Sequence, residues 1–370
     1  MRIAYLVFQD LVGETGVAKK IAQQAHAWIA KGRAVRLFGL AATRELWQGF
    51  RDLETEIVIS PRSRYNFIKT WPLVRRILDW RPDLVYLRYH PFYYPGLGRL
   101  MARVPTVLEL NTKVDAEMKV WQKGFPLLYY SLTRHRAFRQ AAGLVSVCQE
   151  LEQEYARYGK PSVVIPNGIA LREFPELPAA RNPEPVLVFI GASGFPWHGV
   201  DKILWLARRF TNWRFELVGY TAQSVGSDVP PNVTAHGYLP RALYQDIMRR
   251  ADVALGTMAL ERNSMTEACP LKVRECLAYG LPTVIGFRDT DFPQPVPFLL
   301  ELPCVPDNVA QNTDRIASFV EAWRGRRVPR GSLAHLDVEV KEARRLDFFS
   351  KIAAKELPSK TSGPPAAPHE

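Results

Sequence analysis

The chain has 370 residues, 47% hydrophobic and 23% charged, which is long for one ordinary core and apolar enough for two domains of similar size. Its net charge of +12 is uneven: residues 1–180 carry 26 Lys/Arg against 16 Asp/Glu, leaving 23 against 21 for the remainder. The surplus suits an anionic partner such as a phospholipid surface or a lipid pyrophosphate; with no recognition-helix, RNP or zinc-finger pattern, nucleic acid is not expected.

In chain order, "RIAYLVF" is a buried-strand run, and "GVAKKIAQQAHAWIAKG" places Val17, Ile21, Ala25, Trp28 and Ile29 on one helical face that ends at Gly32 as C-cap. "AVRLFGL" returns as a strand. After a less regular basic stretch come "DLVYLRY" and "TVLEL", the helix "RHRAFRQAA", the strand "GLVSVC", the helix "QELEQEYARYG" and the strand "SVVIPNG". Strands alternating with helices imply a parallel sheet covered on both faces. Residues 176–185, "ELPAARNPEP", read as a linker closing a first domain of 1–175. The alternation then restarts over 186–335 with "VLVFIGA", "VDKILWLARRF", "RFELVGY", "RALYQDIMRRA", "DVALGT", "LKVRECLAYG" and "PTVIGF". A final helix is expected over 336–357, packing back on the first domain, with a disordered tail at 358–370. Two doubly wound, Rossmann-like sheets in tandem are expected to face an inter-domain cleft, because such sheets bind ligands beyond the carboxyl ends of their strands.

The four cysteines (Cys148, Cys269, Cys276, Cys304) form neither a CxxC pair nor a dense framework, which fits a reduced setting without a zinc ribbon or disulfide scaffold. The opening "MRIAYLVFQD" is too short for a signal peptide, and no run approaches the roughly 18 apolar residues of a membrane span. A cytoplasmic protein, peripheral at the inner face of the cytoplasmic membrane, is the expectation. Two stretches support the membrane part: 62–82, with six Arg/Lys beside Tyr65, Phe67, Trp71 and Trp80; and 118–149, with no Asp or Glu but Lys119, Lys123, Arg134, Arg136 and Arg139 beside Trp121, Phe125, Tyr129 and Tyr130.

Several segments, in order and across nearly the whole chain, resemble the retaining glycosyltransferases of family 4, which have the GT-B fold. They are "GETGVAKKIAQQAHAWIAKGRAVRLF", "PDLVYLRY", "VPTVLELNT", "VVIPNGIALREF", "GASGFPWHGVDKI", "FELVG", "GYLPRALYQDIMRRADVAL" and "TEACPLKVRECLAYGLPTVIG". The resemblance implies transfer of a hexosyl-type sugar from a nucleotide-sugar donor, bound mainly by the second domain, to an acceptor bound mainly by the first. It implies retention of configuration, no metal and no cofactor beyond the nucleotide-sugar co-substrate, whose base stays open. Envelope polysaccharide, exopolysaccharide or lipid-linked glycan synthesis is the expected setting. A non-catalytic nucleotide-sugar-binding relative and a GT-B sugar-nucleotide epimerase are the alternatives.

Site residues follow from the same segments. Glu267 and Glu275 are separated by seven residues; the resemblance gives the first to the transferred sugar, and the second, inside a helix starting near Pro270 and Leu271, to the ribose hydroxyls. Pro at a first helical position is favourable, and the helix N-terminus offers unpaired N–H groups to a diphosphate. The family's phosphate-binding arginine and lysine are absent from "GASGFPWHG", where His198 stands in the lysine position; Lys272 is the candidate for the missing charge. Gly191 and Gly194 let the backbone approach a ligand, and Gly199 opens a helix that offers a second anion seat. In the first domain Gly13 and Gly16 form the loop that in the family lies beside acceptor and donor phosphate. His90 follows a strand, and Asn111 occupies the place of a family histidine, able to hold a sugar hydroxyl but not to act as a base.

Overall fold

In the computed structural model, which describes residues 1–60 and 66–356, the chain divides into two compact units: Met1–Pro166 with the stretch from Val338 onward, and Asn167–Asp337. Arg62, Arg64, Tyr65 and the tail at 358–370 lie outside the described residues, as do the side chains of Lys119 and Trp121.

The first unit is built on seven strands, β1 (Arg2–Val7), β2 (Ala34–Ala41), β3 (Glu54–Ile59), β4 (Leu84–Arg88), β5 (Thr106–Leu110), β6 (Gly143–Ser146) and β7 (Ser162–Val164), in one parallel sheet of order 3-2-1-4-5-6-7. Its helices are α1 (Gly16–Ala30), α2 (Asn66–Trp80), α3 (Pro95–Met101), α4 (Val114–Trp121), α5 (Phe125–Gln140) and α6 (Gln149–Tyr155). The central strands are continuous apolar runs because helices cover both faces: β1 is buried from Ile3 through Val7. The Thr15 hydroxyl accepts from the Ala18 amide at 3.1 Å and so caps α1, whose Ile21, Ala25 and Trp28 enter the core. Gly32, at φ +73°, turns the chain out of the helix as expected. The irregular basic stretch holds β3 and α2, and α5 begins at Phe125 rather than Arg134, with a proline in its first turn.

The second unit contains β8 (Val186–Ile190), α7 (Val200–Arg209), β9 (Arg214–Val218), α8 (Ala222–Val225), β10 (Val233–Ala235), α9 (Arg241–Arg250), β11 (Val253–Leu255), β12 (Glu267–Ala268), α10 (Leu271–Ala278), β13 (Thr283–Ile285), β14 (Arg288–Asp289), β15 (Leu299–Glu301), α11 (Asn308–Gln311) and α12 (Thr313–Trp323). Six of these strands form a parallel sheet of order 10-9-8-11-13-15, and β12 pairs with β14 in a ribbon of its own. The last helix, α13 (Val338–Ala353), belongs to the first unit, where Leu346, Phe348, Phe349 and Ile352 join the core around Trp28. Among the described residues no helix is long and apolar enough to cross a membrane.

The boundary between the units falls at Pro166/Asn167 and not within 176–185. That proline-rich segment and the residues just before it are fastened along the second unit by arginines: Arg330 donates to the Leu171 and Phe174 carbonyls at 2.8 Å each, Arg327 to Pro178 at 3.1 Å, and Arg324 to Asn182 at 2.9 Å. Exposed backbone carbonyls, which sequence composition does not reveal, make it part of that unit. The strand order of the first sheet reverses between β1 and β4, and that of the second between β8 and β11, so the loops after these strands are where each sheet offers a ligand site.

Candidate functional site

The second unit's switch-point loop, Gly191–Gly199, is closely packed. Any side chain at Gly191 would place its Cβ 2.6 Å from the Phe189 ring, and Gly199, at φ +71°, would place one 2.9 Å from Met258 Cβ. Gly194 has φ +89° and open space around it. Gly199 caps α7 in left-handed conformation, yet the anion seat expected there carries the chain's own Asp201, which is paired bidentately with Arg262 at 2.8 and 2.7 Å.

His198 is buried in this loop. The Tyr220 hydroxyl donates its proton to the Ala192 carbonyl at 2.6 Å, so its 2.8 Å contact with His198 Nδ1 has the imidazole donating. The ring is therefore the Nδ1–H tautomer with a lone pair on Nε2. Burial, with Lys272 nearby, pushes its pKa down to about 3, so the residue in the family's lysine position carries no charge near neutral pH.

Beside this loop lies a cation of α10, Lys272. Pro270 is the helix's N-cap, one position before the first helical residue where the sequence suggested it, and its carbonyl accepts the amides of Val273 and Arg274 at 3.0 and 3.3 Å. The helix supplies no carbonyl for the amides of Leu271 and Lys272. Lys272 Nζ lies buried 4.7 Å over the Phe189 ring and has no hydrogen-bond partner among the described residues. Burial lowers its pKa from 10.5 to about 7. An unpaired ammonium inside a protein is costly, and an anion placed between it and the helix N-terminus would satisfy both.

Glu275 is three residues on and shares a helical face with Lys272. It is half-buried and accepts the hydroxyl proton of Tyr244 on α9, whose pKa is raised by burial and then by the Glu275 charge. Glu267 is buried on β12 with the Arg288 guanidinium 3.6 Å away. On the opposite face of α10, fully buried Arg274 bonds Asp289 at 2.6 and 2.7 Å, Asp291 at 3.0 Å and the Asn167 carbonyl at 3.2 Å. Asn167 in turn donates to the Cys269 carbonyl at 2.9 Å. These bonds fix the turn that delivers Lys272 and Glu275.

In the first unit Gly13, in the loop before α1, and Gly16, the first residue of α1, are both exposed. His90 sits among Phe8, Phe92 and Tyr94 and accepts from the Phe92 amide at 3.3 Å; burial takes its pKa to about 4. It is a neutral ring in an aromatic nest. Asn111 accepts from Lys20 Nζ at 2.6 Å. Lys20 also contacts buried Glu109 at 2.8 Å, and Arg88 reaches the other Glu109 oxygen at 3.2 Å. Burial alone would raise the Glu109 pKa, but Lys20, Arg88 and Arg345 together hold it well below the usual carboxylate range.

Residues 15–168 match the family model for the glycosyl transferase 4-like domain. That match covers most of the first unit's sheet. No curated protein matches the chain by sequence. Among solved structures, sucrose-phosphate synthase from Thermosynechococcus elongatus is similar with a TM-score of 0.68 at 15% identity, over 96% of this chain and 99% of that one. HepE of Anabaena, in complex with UDP and glucose, gives 0.63 at 15%, over 95% and 100%. The UDP-GlcNAc 2-epimerase from Neisseria meningitidis bound to UDP-GlcNAc gives 0.56 at 12%, again over 95% and 100%. At these identities the likeness is one of fold, and the fold is GT-B.

Within this GT-B chain, the structure gathers His198, Gly191, Gly199, Lys272 and Phe189 around one loop, with Glu275 on the same face of α10 as Lys272. It separates the first-unit candidates: Asn111 belongs to the Lys20–Glu109 cluster, His90 to the aromatic nest, and the two glycines to the start of α1 and the loop before it. Sequence reasoning missed Tyr244, Tyr220 and the Arg274–Asp289–Asp291 cluster. One signal was available for the first-unit cluster, a lone carboxylate inside the apolar strand "TVLEL".

Proposed function

We propose that the chain is a retaining, metal-independent glycosyltransferase that moves a sugar from a nucleotide-sugar donor to a glycan or lipid-linked acceptor. The observation that carries the reading is Lys272, a buried and unpaired ammonium at the N-terminus of α10 beside the switch-point loop. The donor diphosphate takes the lysine and the free amides of Leu271 and Lys272; preorganised donors of this kind stabilise the charge that develops on a leaving phosphate. Glu275 receives the ribose hydroxyls and Glu267 the transferred sugar. His198, neutral, contributes shape and a lone pair rather than charge. As the resemblance to the retaining glycosyltransferases of family 4 implies, attack occurs from the side the phosphate leaves, and the phosphate assists deprotonation of the acceptor. The catalytic contribution of the protein is then positioning and phosphate stabilisation.

The non-catalytic alternative rested on the missing Arg/Lys pair of the Gly191–Gly199 loop; Lys272 supplies charge at the same place from a different element, which favours transfer. An exposed face of the first unit supports work at an anionic membrane surface. There Ile68, Trp71, Phe125, Leu128 and Leu132 are exposed on α2 and α5 beside Lys69, Lys123, Arg136 and Arg139, and Phe67 of α2 touches Tyr129 of α5 with ring centroids 5.1 Å apart. Apolar side chains ringed by cations complement anionic lipid.

The test is thermal unfolding against UDP-, GDP-, ADP- and TDP-sugars, for wild type and Glu275→Ala. A ligand at about 100 times its dissociation constant adds roughly 2.7 kcal/mol to a folded state that binds it. One nucleotide class should stabilise wild type and not the variant, and the transfer product formed with that donor should keep the donor's anomeric configuration by NMR. No stabilisation by any of the four would sink the reading.

A further inference from the structure

At the carboxyl ends of β1, β4 and β5, the switch point of the first sheet, lies a pocket of about 300 Å3 whose polar lining includes Gln9, Arg88, Asn111, Thr112 and Glu117. Bonds behind this lining orient it. Lys20 donates to Asn111 Oδ1 at 2.6 Å, which leaves the Asn111 NH2 as a donor; Arg88 Nε donates to Gln9 Oε1 at 3.2 Å, which does the same for Gln9. The Thr112 hydroxyl donates to Glu117 Oε1 at 2.8 Å, leaving the second carboxylate oxygen as an acceptor.

The charges cancel. Arg88 is paired with buried Glu109, which also holds Lys20, and Glu117 adds a second carboxylate to match the second cation. The neighbouring Lys113 is paired with Glu150 at 2.6 Å. A phosphate here would face the Glu117 carboxylate and a guanidinium already committed to Glu109. A hydroxyl, which both gives and takes a hydrogen bond, meets amide donors on one side and a carboxylate on the other.

We infer that this pocket holds one ring of a neutral glycan by its hydroxyls, with Glu117 and Asn111 as its recognition residues. Calling that glycan the acceptor rests on the transfer reading above; the binding itself does not. The basic surplus of the first unit then serves its exposed membrane-facing side, and the sugar end of the acceptor enters a site without net charge.

Saturation-transfer NMR on the full chain tests this with methyl glycosides of glucose, galactose, mannose and N-acetylglucosamine, beside glucose 1-phosphate and glucuronate. At least one neutral glycoside should bind, and Glu117→Gln and Asn111→Ala should each weaken it about tenfold or more, the usual effect of losing a hydrogen bond to a charged or buried group. Nucleoside diphosphate binding by the second unit, measured on the same samples, serves as the folding control. Tighter binding of the anionic analogues, unchanged binding in both variants, or no binding of any neutral glycoside would overturn the inference. Neutral binding without nucleoside diphosphate binding would uphold it while removing the transfer reading.

Discussion

Lys272→Met should make the unliganded protein more stable and the liganded protein weaker, an opposition that an ordinary core or surface lysine would not produce. The pKa of Lys272 falls from 10.5 to about 7 through burial, and each unit is worth about 1.4 kcal/mol. At pH 7 the folded chain therefore bears a burial penalty with a ceiling of about 4 kcal/mol, lowered by whatever relaxation and water entry the site permits. Methionine fills similar volume without charge. Because the folded-state pKa is depressed, the unfolded chain binds more protons between pH 7 and 10.5, and wild-type stability rises with pH across that window. The gain from the substitution is thus full below about pH 7 and fades toward pH 10.5. At ~2–4 °C per kcal/mol for a unit of this size, differential scanning calorimetry should find the variant melting several degrees higher at pH 6.5. The nucleoside diphosphate that stabilises wild type should give it little or no further shift. A variant that melts no higher than wild type and still responds fully to the ligand would refute both the burial argument and the phosphate assignment.

Tyr244→Phe removes the hydroxyl that holds Glu275; calorimetric titration should show the preference for a nucleoside diphosphate over its 2′,3′-dideoxy analogue falling about tenfold, with the protein still folded. Arg274→Met leaves Asp289 and Asp291 buried without their cation, so urea unfolding should show a loss of about 3–5 kcal/mol. Replacing Ile68, Phe125 and Leu132 together by serine should cut co-sedimentation with vesicles containing phosphatidylglycerol at least tenfold, since each large apolar side chain contributes about 1.5–3 kcal/mol when buried. Raised salt should weaken wild-type binding in the same assay.

The alternation of apolar runs and amphipathic segments made both sheets legible, because strands covered on two faces must be apolar throughout and need no knowledge of their partners. Where a strand lies at an edge that signal disappears: β3, "ETEIVI", carries three polar side chains in six residues and was lost in a basic stretch. The unit boundary was misplaced for a related reason, since arginines binding backbone carbonyls hold Leu171 to Asn182 against the second unit, and carbonyls have no sequence signature. At the site, the Glu267/Glu275 spacing and Lys272 were readable as a pattern. The electrical state of His198 was not, because it depends on Phe189 and Tyr220 from two different strand regions closing over the ring.

His198 and Lys272 together explain how a loop without cations of its own can still have one beside it. A histidine in the loop lies near Lys272, and two adjacent cations would repel; burial resolves this by keeping His198 neutral and giving the proton to the lysine, whose pKa of about 7 stands well above the imidazole's value of about 3. The lysine is then poised rather than permanently charged. A diphosphate favours its protonated form, so binding above pH 7 draws in a proton, and the free energy stored in the unpaired ammonium is released only when the ligand arrives. The first unit applies the opposite arrangement at Glu109, where Lys20 and Arg88 neutralise the buried charge in advance and leave a pocket suited to a neutral ligand. One sheet end is therefore electrically completed by the protein itself, the other by its ligand, which is the division of labour expected if one holds a sugar and the other a leaving phosphate.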